Sequence, residues 1–374
     1  MFEKIDQASH DIKEILNKAL ESQELSSQEA LKLLKVTGKD FRALQDVAEQ
    51  ICFEKKEGLV TFVVNRNINF TNICHQGCLF CSYSVSKTSE EGYLLSIDEI
   101  KEKVKEAIKN NCSEVCIQGG IHPDLSFNYY LDILSTIKNL NKNIHIHAFS
   151  PQEIFYMSQI SQNSIEDILK ELIKAGLDSM PGTAAEILVD EIRKIICPRK
   201  ITTKQWVEII STAHKLKIPT TSTIMYGHIE ELHHRIKHLE VIRNIQKETG
   251  GFTEFVPLPF VKKKPILARL KNFPLQASYG MDDLRLFCVA RLYFRNYIDN
   301  IQCSWVKLGP KFAQVSLNYG VNDFSGTLME ENISKSAGSE FGEYLSQEEI
   351  INIIHKAGKK PAQRDTLYNI ICYY

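Results

Sequence analysis

The sequence predicts an α/β protein, a parallel (βα)8 TIM-type barrel with helical N- and C-terminal extensions. Three observations lead there. Short β-rich runs begin at Leu59 and are separated by amphipathic helical patterns. Residues of unusual chemistry fall just after those runs, where a barrel places its site. And 374 residues, 43% of them hydrophobic, can fill one large barrel core. Strand–helix alternation at this spacing implies right-handed crossovers and parallel pairing. Eight such units fit a closed barrel better than an open doubly wound sheet.

Taken in order, residues 1–58 read as a helical extension. "SSQEALKLLKV" opens with a capping box, Ser26 to Glu29, in which each side chain satisfies the other's free amide. "DFRALQDVAEQICFEKKEG" has apolar residues at helical spacing and stops at Gly58. The barrel is expected over 59–326. Its strands are predicted at 59–64 ("LVTFVV"), 114–119, 144–149, 177–180 ("LDSM"), 220–226, 252–257, 300–305 ("NIQCSW") and 321–324. Helical patterns lie between them, such as the runs after Ser96 and Thr202. Residues 327–374 are expected to form a C-terminal extension packed on the barrel.

Composition excludes several classes. A formal net charge of -1 with 24% charged residues gives no electrostatic reason to expect nucleic acid or anionic membrane as the main partner. The start is charged and amphipathic, unlike a signal peptide, and no apolar run approaches the roughly 20 residues of a membrane span. A cytoplasmic enzyme is expected. Ten scattered cysteines fit a reducing compartment better than a disulfide framework.

Three of those cysteines are not scattered. Cys74, Cys78 and Cys81 fall within "CHQGCLFC", a spacing expected by chance roughly 0.007 times in a chain of this length and cysteine content. Thiolates are soft ligands suited to iron–sulfur clusters and zinc. Three thiolates leave one iron of a [4Fe–4S] cube open for another ligand, whereas structural zinc wants a fourth protein ligand. His75 is a strained choice, directly following Cys74. Cys112 and Cys116 lie about 13 Å apart if extended, too far to grip one metal.

Cys74-x-x-x-Cys78-x-x-Cys81, with Phe80 before the last cysteine, resembles the radical S-adenosylmethionine (SAM) enzymes. The resemblance implies a [4Fe–4S] cluster on the three cysteines with SAM chelating the fourth iron. Reductive cleavage of SAM would then give a 5′-deoxyadenosyl radical. "NRNINFTNIC", "IQGGIHPDL", "IHIHAFSPQEI", "AGLDSMPGTAAEIL", "IPTTSTIMYGHIE", "GGFTEFVPLPF", "WVKLGPKFAQVSLNYGVNDFSGTLMEE" and the tail "PAQRDTLY" look like one branch of that superfamily, the CofH-type subunits of FO synthase. "CSYSV" departs from the expected alanine and phenylalanine after the third cysteine, but it supplies no ligand.

This branch implies transfer of the 4-hydroxybenzyl group of L-tyrosine to 5-amino-6-(D-ribitylamino)uracil. The product leads to FO, the deazaflavin precursor of coenzyme F420. It also implies a CofG-type radical SAM partner and an electron donor such as a ferredoxin or flavodoxin. The rivals are a menaquinone-pathway sibling (aminofutalosine synthase or dehypoxanthine futalosine cyclase) and, in a different class, a non-enzymatic iron–sulfur electron carrier.

Other candidate residues stand at predicted strand ends. Gly119 and Gly120 are either an ordinary turn or a close approach to SAM. Glu186 is a helix-start acid or an acceptor for the ribose hydroxyls. Ser150 and Glu153 cap the next helix, with Pro151 in its first turn, or serve cofactor and substrate. Tyr226, His228 and Glu153 are the catalytic candidates. His145 and His147 share one strand face and either enter the barrel or lie under the helices. Lys262–Lys264 reads as a solvated loop.

Overall fold

The structure is a computed structural model that describes residues 5–374; the first four residues of the amphipathic start lie outside the described residues. Three helices come first: α1 (His10–Leu20), α2 (Ser27–Leu33) and α3 (Gly38–Lys56). The Ser26–Glu29 capping box forms as predicted. Helix α3 ends with Glu57 and Gly58 both at positive φ, and its buried face includes Phe41, Leu44, Val47 and Ile51.

The barrel follows. Its strands are β1 (Leu59–Val63), β2 (Asn65–Asn69), β3 (Glu114–Gln118), β4 (His145–Ala148), β5 (Thr220–Tyr226), β6 (Phe252–Pro259) and β7 (Asp323–Gly326). Between them run α4 (Ile97–Lys109), α5 (Phe127–Leu140), α6 (Pro151–Ser161), α7 (Ile165–Ala175), α8 (Asp190–Ile196), α9 (Thr203–Lys215), α10 (Leu232–Thr249), α11 (Gly280–Tyr293), α12 (Trp305–Leu308) and α13 (Pro310–Ser316). The helices expected after Ser96 and Thr202 form, and these two residues cap α4 and α9 with capping boxes.

The ring can be followed bond by bond. β2 pairs parallel with β3, and β3 with β4. His147 then bridges to Ser179, and Met180 bridges to Thr220 at the start of β5. β5 pairs parallel with β6. Phe255 bridges to Ile301 and Gln302 to Asp323, which brings the chain to β7 and from there to β1. The amides of Thr327 and Asn67 bond to the carbonyls of Val63 and Leu328, closing β7 back onto β1 and β2. All these pairings are parallel, and the barrel is complete.

Four sequence expectations are corrected. The predicted first strand at 59–64 ends at Val63; the segment that enters the barrel wall and feeds the cysteine loop is β2, "NRNIN". Asparagine is depleted in strands, so propensity hides this one. It is wholly buried because each polar chain finds a partner: Asn65 bonds Glu114 at 2.9 Å, Asn67 bonds Glu331 at 2.7 Å, and Arg66 bridges Glu106 and Glu330. "LDSM" and "NIQCSW" contribute only isolated bridges rather than full strands. The eighth barrel strand lies at Asp323–Gly326 rather than 321–324.

In the tail, helices α14 (Asn332–Ala337) and α15 (Gln347–Lys356) precede a hairpin, β8 (Lys360–Arg364) and β9 (Ile370–Tyr373). β8 adds to β1, and its continuation plugs the barrel floor. Arg364 meets Asp323 at 2.6 Å, Thr366 bonds Glu114 at 2.7 Å, and the Tyr368 hydroxyl donates to Glu254. His145 and His147 both bond Ser179 at 2.7 Å on this inner face. Burial pushes His147 down to about 4, so it sits neutral there.

Candidate active site

The cysteine loop leaves β2 and is pinned from three sides. The Cys74 amide bonds the Val85 carbonyl at 3.1 Å, the Leu79 amide bonds Ile196 at 2.8 Å, and the Leu267 amide bonds Leu79 at 2.9 Å. Arg199 reaches back to the Gln76 carbonyl at 3.0 Å. Held this way, Cys74, Cys78 and Cys81 line one cavity of about 360 Å³ at the carboxyl ends of the strands.

Burial raises the Cys74 and Cys78 thiols above the ordinary range, and each is raised further by Cys81. Lys200 pulls both of these thiols back down, and a bound metal would deprotonate its thiol ligands outright. No histidine lines the cavity among the described residues. His75 is exposed, with its ring against Tyr156, so it does not complete a zinc site. Cys197 packs beside Cys78 in an apolar cluster and does not face the cavity. Three thiols with a fourth side open to the cavity fit a [4Fe–4S] cluster with one exchangeable position.

Phe80, Gly119, Gly120, Ser150, Glu153 and Glu186 line the same cavity, so the structure brings together the predicted cofactor residues. The glycine pair is explained by close approach rather than by a left-handed turn. A Cβ on Gly119 would lie 2.5–2.7 Å from carbons of the Phe70 ring. A Cβ on Gly120 would lie 2.8 Å from the Ile73 carbonyl carbon and 3.0 Å from Cys74 Cβ. The pair therefore sits directly under the cysteine loop.

Glu153 is 1% exposed, and both of its oxygens are engaged. One accepts from the Ser150 amide and hydroxyl at 2.7 and 2.6 Å, the other from the Gly119 amide at 3.1 Å. Burial nevertheless pushes it up to about 7. Its role here is to lock the start of α6 to the glycine pair.

Two catalytic candidates fall outside the cavity. Side chains alternate along a strand, and on β5 it is Met225 that faces inward. Tyr226 points outward beneath the Arg235 guanidinium, 5.1 Å from its ring, and is wholly buried. His228 is also wholly buried; its Nδ1 accepts from the Ile229 amide at 2.8 Å, and its Nε2 lies 3.2 Å from the Met225 carbonyl. Its amide donates to Glu230 at 2.8 Å, which organises the loop.

Sequence reasoning missed Lys200, Lys307 and Glu331 on the cavity wall. Lys200 pairs with Glu186 at 2.5 Å and lies 5.5 Å over the Phe80 ring. Lys307 and Glu331 stand at the two ends of "WVKLGPKFAQVSLNYGVNDFSGTLMEE", a stretch readable as family-like but not as a site; Lys200 stands in no short motif, and the fold alone brings the three to one cavity.

A parallel barrel with a three-thiol loop at its strand ends, opposite a glycine pair, defines a radical SAM enzyme. The family model for the radical SAM superfamily matches residues 68–242, and that for the CofH/MqnC C-terminal region matches 249–373. The solved methylornithine synthase PylB superposes with a TM-score of 0.74 at 17% identity, covering 93% of this chain and 97% of its own. The hydrogenase maturase HydG gives 0.74 at 17%, over 96% and 77%. These two show the fold.

Curated relatives show the branch. A 5-amino-6-(D-ribitylamino)uracil–L-tyrosine 4-hydroxyphenyl transferase of Archaeoglobus fulgidus is 54% identical over 87% of this chain and 92% of its own. A namesake from Methanothermobacter thermautotrophicus is 47% identical over 96% and 97%. The chain belongs to the radical SAM superfamily and, within it, to the family of these transferases.

Proposed function

We propose that this chain couples the 4-hydroxybenzyl group of L-tyrosine to 5-amino-6-(D-ribitylamino)uracil, on the route to FO. The observation that carries this is the near full-length similarity, 54% identity covering 92% of the Archaeoglobus relative, joined to a three-thiol cavity. The C-terminal family model is shared with the MqnC type, and it is the curated relatives that select the transferase.

When bound, the cluster and SAM supply a carbon-centred radical that takes hydrogen from the substrate. The chain's own residues supply placement and dryness. Cys74, Cys78 and Cys81 hold the cluster. Gly119 and Gly120 allow the backbone beside it to come close, the free oxygen of Glu186 would accept the ribose hydroxyls of SAM, and Phe80 and Ser150 would complete the SAM wall. Met225, Leu258, Phe260, Val306 and Leu328 give the cavity an apolar lining that keeps water from a reactive radical.

The product passes to a CofG-type radical SAM enzyme, and a ferredoxin or flavodoxin supplies electrons in the cytoplasm. No helix among the described residues is long and apolar enough to cross a membrane. The test is anaerobic reconstitution with iron and sulfide, then SAM and reductant. Tyrosine and the ribitylaminouracil together should stimulate 5′-deoxyadenosine release and give a coupled product. Turnover of an aminofutalosine-type substrate instead would overturn the assignment.

A further inference from the structure

Five acidic or basic side chains line the cavity: Lys200, Lys307, Glu153, Glu186 and Glu331. Three of them are already committed, to one another, to backbone or to SAM. Lys200 takes one oxygen of Glu186, whose other oxygen is the one assigned to SAM, and Glu153 is filled by Ser150 and Gly119. The other two stand apart, on the loops that follow the seventh and eighth barrel segments.

Lys307, half-buried on α12, donates at 3.1 Å to the Ser334 hydroxyl, and no carboxylate among the described residues pairs with it. Burial holds its ammonium below the ordinary lysine range, with Glu331, Glu186 and Cys81 pulling it back up. A lysine ammonium has three donors, so two remain for a ligand.

Glu331, which caps α14, is held by the Asn67 amide at 2.7 Å and the Ser334 backbone at 2.8 Å. A carboxylate has about four acceptor positions, so it too keeps free capacity. Ser334 ties the two residues into one frame. No ion pair closes between them, so two opposite charges flank Ser334 in the cavity lining. An α-amino acid head carries the complementary pair.

We propose that Lys307 and Glu331 form the subsite for the amino-acid head of the substrate, Lys307 taking the α-carboxylate and Glu331 the α-ammonium. The phenol ring then lies along Val306, Leu328 and Ile333, which line the same cavity. This assignment rests on the transferase reading, which makes tyrosine the amino acid concerned. SAM also carries an amino-acid head, so SAM affinity is measured in parallel.

The experiment uses anaerobic, cluster-loaded protein with SAM and no reductant, so that nothing turns over. Equilibrium dialysis compares labelled L-tyrosine with tyramine, which lacks the carboxylate, and 3-(4-hydroxyphenyl)propionate, which lacks the amine. Wild-type protein should bind each analogue about 10–100-fold more weakly than tyrosine, the worth of one charge-assisted hydrogen bond. Lys307→Met should weaken tyrosine by a similar factor and leave tyramine unchanged. Glu331→Gln should weaken tyrosine and leave the propionate unchanged, and both variants should keep wild-type SAM affinity.

Equal loss of tyrosine and tyramine in Lys307→Met, or a fall in SAM affinity, overturns the assignment. If a variant does not fold, the wild-type comparison still decides, because tyramine bound as tightly as tyrosine refutes the clamp. Wild-type protein that forms coupled product but ignores both head groups sinks the clamp and leaves the transferase reading standing. Wild-type protein that binds no tyrosine sinks both.

Discussion

Replacing Gly120 with alanine should empty the cluster site far more than it unfolds the protein. The added Cβ would strike the Ile73 carbonyl oxygen first and lie 2.8 Å from its carbon, where ordinary contact begins at 3.4 Å, so more than about 0.6 Å must be found. The obstructing atoms are backbone of the cysteine loop, not the tip of a flexible side chain. Overpacking of this kind costs about 1–3 kcal/mol. In a chain this long that lowers Tm by only a few °C. Metal sites are less forgiving, because ligand distances hold to about 0.2 Å.

Gly250→Ala is the control. Gly250 has φ +65 with nothing within 4 Å of its would-be Cβ, so its cost is conformational, about 1–2 kcal/mol, and remote from the cluster. The assay is iron and sulfide content per chain after anaerobic reconstitution, read beside Tm. The two variants should lose similar Tm, with Gly120→Ala alone losing most of its iron. Full cluster loading in Gly120→Ala would refute the idea that the glycine pair makes room for the loop.

Three further outcomes are expected. Cys78→Ala should abolish the cluster's visible absorbance and all turnover, whereas Cys197→Val should keep both, since Cys197 does not face the cavity. Glu153 carries a proton more tightly folded than unfolded, about 7 against an ordinary 4.5, so its contribution is full below pH 4.5 and is lost as pH rises through 7. The loss amounts to about 3 kcal/mol, and Glu153→Gln should flatten that part of a urea-stability profile measured across pH. Arg364→Met leaves Asp323 buried without its cation and should cost about 3–5 kcal/mol in denaturant unfolding. A loss below about 1 kcal/mol would show that the floor tolerates the bare carboxylate.

Legibility tracked locality. Cys74, Cys78 and Cys81 are readable because one short loop supplies all three ligands, and spacing within a loop is a property of the chain alone. The capping boxes at Ser26, Ser96 and Thr202 are readable for the same reason. "TTSTIMY" forms a strand over its predicted bounds because β-branched residues and burial agree there. "NRNIN" was hidden because its strand depends on partners up to 264 residues away, such as Glu330 and Glu331.

By itself, then, the sequence determined the strand–helix alternation, the three thiols and the family of chemistry they serve. The tertiary structure decided which side of each strand end meets the cavity. It turned Tyr226 away while admitting Met225, spent Glu153 on a cap, and set Lys307 and Glu331 in one cavity lining. The physical reason is that metal affinity can be written into a few adjacent residues. A substrate's charges, in contrast, are matched across a cavity, and only closure of the barrel brings its walls together.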